Sequence, residues 1–176
     1  MVKQIPKVLI SKERIAARIT ELGAQISEDY KGKDLLMVGA LKGSVVFMSD
    51  LMRAVHSPVS IDFITVSSYG SGVNTSGVVK IVQDITNDIT GRDVLIVEDI
   101  LDTGTTLSKL TNLLLERGPK SLKLAALLEK PSRRTANIQA DYVGFTIPNV
   151  FVVGYGLDFD ELYRNLPYVG ILNGEE

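Results

Sequence analysis

Apolar positions fall into two kinds of stretch along this chain. Apolar-rich stretches at 59–66 and 122–128, with a few polar residues among them, read as strands, and short unbroken runs appear at 35–40 and 94–97. Such runs, without polar alternation, suit strands of a parallel sheet buried on both faces. Between them lie stretches where apolar residues recur every three or four positions, the repeat of a helix with one buried face. Ile15, Ile19, Leu22 and Ile26 predict a helix that starts after Ser11 and ends near Tyr30. Ser11 is placed to cap it, with Glu13 in the first turn and Arg14 where a capping-box acid would stand. Phe47, Leu51 and Val55 predict a second helix. Leu107, Leu110, Leu113 and Leu114 predict a third, running to Arg117 and stopping at Gly118-Pro119. Residues 5–10 read as a short extended segment, 78–82 as the return strand of a hairpin, and 142–146 as a further short strand. Alternation of buried runs and amphipathic helices predicts an α/β domain: a mainly parallel twisted sheet with helices on both faces.

Composition sets outer bounds. The chain has 176 residues, enough for one domain with a sizeable core, and 45% of them are hydrophobic, which excludes a disordered chain. Nineteen basic against 21 acidic residues give a net charge of −2, so no global pull toward nucleic acid or an anionic membrane is expected. Cysteine is absent, which excludes disulfides and thiolate metal sites. The N-terminus lacks a signal-like apolar core and no apolar run reaches spanning length. A cytoplasmic protein is the expectation. His56, the single histidine, precedes Pro58 in a connection and reads as a surface residue.

The chemistry concentrates in residues 94–107. After the apolar run come two adjacent acids, Glu98 and Asp99, then Ile100, Leu101, Asp102 and a hydroxyl-rich turn, Thr103-Gly104-Thr105-Thr106, which opens a helix. Free amides at a helix N-terminus, with hydroxyls beside them, form a phosphate site. Gly104 lets the main chain approach such a ligand. Three carboxylates would repel a bare phosphate. A divalent cation, or sugar hydroxyls donated to Glu98 and Asp99, would reconcile the two; a sugar phosphate meets both demands.

This order and spacing resembles the phosphoribosyl pyrophosphate (PRPP) motif of type I phosphoribosyltransferases: four hydrophobics, two acids, then D-T-G-x-T. The resemblance implies that Thr103, Gly104, Thr105 and Thr106 hold the 5′-phosphate, that Glu98 and Asp99 hold the ribose hydroxyls, and that Asp102 exchanges a proton with the base. Thr105 fills the variable position of the motif, where relatives carry Lys or Leu. Leu41-Lys42-Gly43 matches the family's pyrophosphate loop residue for residue, and implies a non-proline cis peptide there. Ser68-Tyr69 matches the start of a lid loop, here the small, glycine-rich stretch 67–77.

Residues 151–158 (F-V-V-G-Y-G-L-D), followed by Tyr163-Arg164-Asn165-Leu166-Pro167, closely resemble the base-binding segment of hypoxanthine-guanine phosphoribosyltransferases. That likeness implies Phe151 stacking on a purine, Val152 reading the base edge through its main chain, Asp158 at the base and metal, and Arg164 on pyrophosphate. Lys130 matches the lysine that donates to the purine 6-oxo group. Lysine is donor-only, so it suits a carbonyl and disfavours the amino group of adenine. Expected partners are PRPP, hypoxanthine, guanine, IMP or GMP, and pyrophosphate. Mg²⁺ is the expected cofactor, on Glu98, Asp99 and Asp158. A single domain is expected, with a core over about 31–147 and a hood from 1–10 and 148–176, assembling as a homodimer or homotetramer. Neither a nucleic-acid nor a membrane partner is expected. Competing readings are a phosphoribosyltransferase for another base, with xanthine hardest to separate; an RNA-binding regulator sharing the motif, with Arg133-Arg134 as its one paired-arginine cluster; and a phosphohydrolase, whose D-x-D-x-T loop is poorly matched.

Overall fold

The computed structural model describes residues 6–68 and 79–172. The elements run β1 (Lys7–Ile10), α1 (Lys12–Asp29), β2 (Leu35–Ala40), α2 (Val45–Ala54), β3 (Ser60–Ser68), β4 (Val79–Gln83), β5 (Asp93–Leu101), α3 (Thr105–Leu115), β6 (Ser121–Glu129), a 3₁₀ turn (Pro131–Arg133), β7 (Tyr142–Thr146), β8 (Val152–Val153) and β9 (Val169–Ile171). Six strands form one sheet in the order β4-β3-β2-β5-β6-β7. All its pairs are parallel except β3 with β4, which form an antiparallel hairpin. The N- and C-terminal segments meet in a second, three-stranded sheet ordered β1-β9-β8.

The unbroken runs lie where two-sided burial demands. All six residues of β2 are buried, as are the first five of β5. Helices α1 and α2 cover one face of the sheet, packing Leu22, Ile26, Phe47 and Leu51 with Met37, Leu95 and Val97. Helix α3 covers the other, packing Leu107, Leu110 and Leu114 with Leu36, Val38 and Ile96. The start of α1 is as expected: the Ser11 side chain accepts from the Arg14 amide at 3.3 Å. Gly23 allows α1 to cross α2 closely, because any Cβ there would overlap Ala54.

Four boundaries differ from the sequence expectation. β5 does not stop at Val97 but continues through both acids to Leu101, because pairing with β6 persists to Leu101 against Glu129. α3 begins at Thr105, before its first buried leucine, and ends at Leu115, with Arg117 and Gly118 closing it as turns onto Leu114 and Leu115. β8 is only two residues long, and β9 was not anticipated. Val169-Gly170-Ile171 carries too little pattern to signal a strand; it is one because β1 and β8 pair with it from either side.

Asp62 in β3 anchors the connection into β5. Its carboxylate accepts from the amides of Phe63, Thr86 and Asn87 and from the Asn87 side chain, all between 2.8 and 2.9 Å. Burial alone would raise its pKa, but these donors outweigh burial and bring it down from 3.8 to about 2. A depressed carboxylate stabilises the fold above its unfolded pKa and loses that contribution as pH falls through the folded value. Asp62→Ala is therefore expected to cost about 1–3 kcal/mol at neutral pH. Urea unfolding should also show a shallower loss of stability between about pH 4 and pH 2 than in the parent.

Candidate functional site

Parallel register puts the candidate residues at one edge. Leu101, Glu129 and Thr146 are paired across the carboxyl ends of β5, β6 and β7. Asp102, Lys130 and Ile147 are the next residues of the three chains. Gly39 of β2 pairs with Val97 of β5, so the 41–43 loop leaves the sheet beside Glu98. Ligands of open α/β sheets bind at this edge.

The hydroxyl-rich turn is built by its neighbours. Gly104 caps α3 with φ +79°, a conformation L side chains rarely adopt, and a Cβ there would stand 2.5 Å from Ile138 Cγ2. The amides of Thr106 and Leu107 have no partner among the described residues, while the Ser108 amide already bonds the Gly104 carbonyl. Unfilled donors at a helix start are an anion site. Glu98, Asp102 and Thr103 to Thr106 line a cleft of about 240 Å³ here. The 3₁₀ turn props it from behind: the Thr135 and Ala136 amides donate to the Thr103 carbonyl, and the Arg134 guanidinium donates to the carbonyls of Leu101, Asp102 and Ile138. Arg133 pairs with Asp102 at 2.7 Å. Arg134 thus bonds inward, and Arg133, though exposed, is paired with an acid, which weakens the basic cluster an RNA-binding reading would use.

Glu98 and Asp99 face different neighbours. Glu98 lines the threonine cleft, whereas the Asp99 carboxylate lies against Gly43, where a Cβ would overlap its Oδ2. Burial first, and the Asp99 charge second, push the Glu98 pKa well above the carboxylate range. Burial likewise raises Asp99. Two close, desolvated acids favour a ligand that brings hydroxyl donors or a cation.

The 41–43 loop is pinned at both ends. The Leu41 amide donates to the Ile64 carbonyl, and the buried Ser44 hydroxyl donates to the Ala40 carbonyl at 2.7 Å. The Leu41–Lys42 peptide is cis. Residues 154–164 fold over this loop so closely that a Cβ on Gly156, at φ +99°, would overlap the Gly43 carbonyl oxygen. Lys42 Nζ meets Glu161 at 2.9 Å, and Arg164 pairs with Asp158 at 2.9 Å and donates to the Gly156 carbonyl at 2.8 Å.

Lys130, 7% exposed, follows β6 with its amide bonded to the Leu101 carbonyl. Its ammonium has no hydrogen-bond partner among the described residues. Burial lowers its pKa, the nearby Asp102 charge opposes that, and Arg133 adds to it. Phe151 is 42% exposed, its ring held edge-on by Phe159 with centroids 5.7 Å apart. Val152 is buried in β8 opposite Ile171.

Glu98, Asp102 and the threonine turn therefore share one cleft, while Asp99 lies against Gly43 of the 41–43 loop. The three acids expected on metal do not gather: Asp158 is held by Arg164 and the Glu161 amide, and among the described residues no group of three or more His, Asp or Glu could hold an ion. Ser68 ends β3, opposite Val79, and Tyr69 lies outside the described residues. Sequence reasoning missed Glu161, Phe159, the pairing of Arg133 with Asp102 and the inward role of Arg134. Only their closeness to candidate residues in the chain could have flagged them.

Comparison with known proteins gives the family of the chain. A family model described as "Phosphoribosyl transferase domain" matches residues 9–160. A hypoxanthine-guanine phosphoribosyltransferase of Streptococcus pneumoniae is 53% identical over 171 residues, covering 97% of this chain and 95% of the relative. The "Bifunctional protein TilS/HprT" of Listeria monocytogenes is 52% identical over 175 residues; the match takes in 99% of this chain, which spans only 27% of that protein's length. A crystal structure of a hypoxanthine phosphoribosyltransferase from Staphylococcus aureus superposes with a TM-score of 0.91 at 54% identity, covering 94% of this chain and 90% of that one. The chain belongs to the phosphoribosyl transferase family, and within it to the hypoxanthine-guanine group. No described helix is long and apolar enough to cross a membrane.

Proposed function

We propose that this chain transfers the 5-phosphoribosyl group of PRPP to hypoxanthine and guanine, giving IMP or GMP and pyrophosphate. The observation that carries this reading is a helix-start anion cradle, a desolvated acid pair and a buried lysine, all at the carboxyl ends of the neighbouring strands β5 and β6. The free amides of Thr106 and Leu107, with the hydroxyls of Thr103, Thr105 and Thr106, would receive the 5′-phosphate. Glu98 and Asp99 would accept the ribose hydroxyls, which relieves two acids that burial destabilises as anions. Lys42 and Arg164 would take the charge of the departing diphosphate. Phe151 would stack on the purine, an interaction worth about 1–3 kcal/mol and indifferent to which purine is present. Lys130 would make the choice, donating to the 6-oxo oxygen. Asp102 would take the proton from N7 as the glycosidic bond forms.

Mg²⁺ belongs to the same proposal. This ion is commonly held by one or two carboxylates, waters and substrate phosphates rather than by an all-protein cage. The oxygen donors of Glu98 and Asp99 fit that mode, and Asp158, tied to Arg164, is not needed for it. When bound, the ion would neutralise the diphosphate and make it a better leaving group. A homo-oligomeric state, a cytoplasmic setting and a hood role for the three-stranded sheet complete the reading, on resemblance.

The test is product formation from PRPP with hypoxanthine, guanine, xanthine, adenine and uracil, with and without Mg²⁺. Turnover of hypoxanthine and guanine that requires Mg²⁺, with adenine and uracil inert, is expected. Failure with both 6-oxopurines would sink the proposal. In the same assay Lys130→Met should lower kcat/KM for hypoxanthine about 10- to 100-fold, the worth of one hydrogen bond from a charged donor.

A further inference from the structure

Glu161 makes contacts that the proposed reaction does not use. Its Oε2 meets Lys42 Nζ at 2.9 Å, and its Oε1 lies 3.6 Å from Arg164 NH2. One carboxylate thus spans both cations assigned to the diphosphate, although these cations are 122 residues apart in the chain. The Lys42 contact also lowers the Glu161 pKa, so the group is an anion at neutral pH.

The local backbone points the same way. Asp160, Glu161 and Tyr163 have φ values of 51°, 63° and 76°, in the left-handed region that non-glycine residues rarely adopt. The turn is held there by a few bonds: the Glu161 amide to Asp158 Oδ2 at 2.9 Å, and the Phe159 and Leu162 amides to each other's carbonyls. The side chains of Lys42 and Glu161 are 68% and 65% exposed, so their bond is made in high dielectric and breaks at small cost. Strained backbone with weak outer contacts is a segment poised to move.

We propose that Glu161 is an internal anion that occupies the diphosphate-binding cations in the free protein and must withdraw before the diphosphate of PRPP, or free pyrophosphate, is gripped. The inference rests on the assignment of Lys42 and Arg164 to that group. Such a latch keeps two cations ordered and apart from other anions while the site is free. It competes with pyrophosphate after turnover and so hastens its departure.

The experiment is calorimetric titration of inorganic pyrophosphate, in Mg²⁺ buffer at low ionic strength, into the parent protein, Glu161→Gln and Asp160→Asn. Asp160 is the neighbouring exposed acid with no ion pair among the described residues, so its variant makes the same charge change without the contact. Glu161→Gln is expected to bind pyrophosphate about three- to tenfold more tightly than the parent, the range set by exposed ion pairs, while Asp160→Asn binds like the parent. Equal or weaker binding by Glu161→Gln, or an equal gain in Asp160→Asn, overturns the latch and leaves the site assignment standing. Absence of pyrophosphate binding in all three proteins overturns both.

Discussion

Asp102→Ala is expected to lower kcat about 10²- to 10⁴-fold, the usual worth of a positioned general acid or base, with the KM for PRPP changed far less. In the proposed site the residue stands between the threonine turn and Lys130. Its main chain follows β5 into the Thr103 turn, and Lys130 is bonded to the residue before it. Its side chain lines the threonine cleft and is oriented by Arg133 at 2.7 Å. Under the proposed function, loss of the carboxylate would remove the acceptor for the N7 proton but none of the groups assigned to the 5′-phosphate or the diphosphate. Steady-state kinetics with PRPP and hypoxanthine varied in turn separates the two effects. Asp102→Asn keeps the shape and removes the basicity, so it should fall with Asp102→Ala. Parental activity in Asp102→Asn would take this residue out of the reaction.

Gly43→Ala should be nearly as damaging, for a steric reason. A Cβ at this position would overlap Asp99 Oδ2, on a loop held from the other side by Gly156 against the Gly43 carbonyl. Neither neighbour can yield freely. Asp99 is on a strand of the central sheet, and Gly156 has φ +99° in a segment tied to Arg164. Either the acid turns away from the cleft or the Lys42 loop lifts. Displacement of a positioning group by about 1 Å is enough for a 10²-fold loss, so kcat/KM for PRPP should drop by about that factor. Because residues 41–43 lie at the surface end of β2, the melting temperature should move little. A large fall in melting temperature with parental kcat/KM would show that Gly43 serves folding rather than the site.

The core of the fold was legible along the chain because its signals are local. Val94 to Val97 and the whole of β2 are unbroken apolar runs, and only a strand covered on both faces takes such a run. Three of the four α3 leucines picked by helical spacing, Leu107, Leu110 and Leu114, are buried against the sheet, while Leu113 is only half-buried. The phosphate turn was legible for a similar reason: hydroxyls, a glycine and a helix start in succession define an anion site without reference to the rest of the molecule. Where pattern was thin, local reading failed. β9 has three residues and a glycine, and is a strand only because two partners flank it. The apolar run stopped at Val97, so the sequence did not show that the strand continues through Glu98 and Asp99 to Leu101; charge in a buried strand is unfavourable unless the fold offers that strand end a ligand site.

Composition and order alone settled that this chain builds a mainly parallel α/β sheet, and that a hydroxyl-rich turn opening a helix follows its central strand. They also carried the resemblance that the family comparison bears out. Tertiary structure alone decided who faces whom: that Glu98 looks into the threonine cleft while Asp99 rests on Gly43, that Arg134 turns inward onto the Asp102 loop and Arg133 pairs with Asp102, and that Glu161 reaches Lys42 from across the chain. The physical reason is range. Burial pattern and helix starts depend on residues within a few positions of one another, whereas charge pairing and steric fit depend on distances that only strand register and the crossing of the C-terminal segment can set.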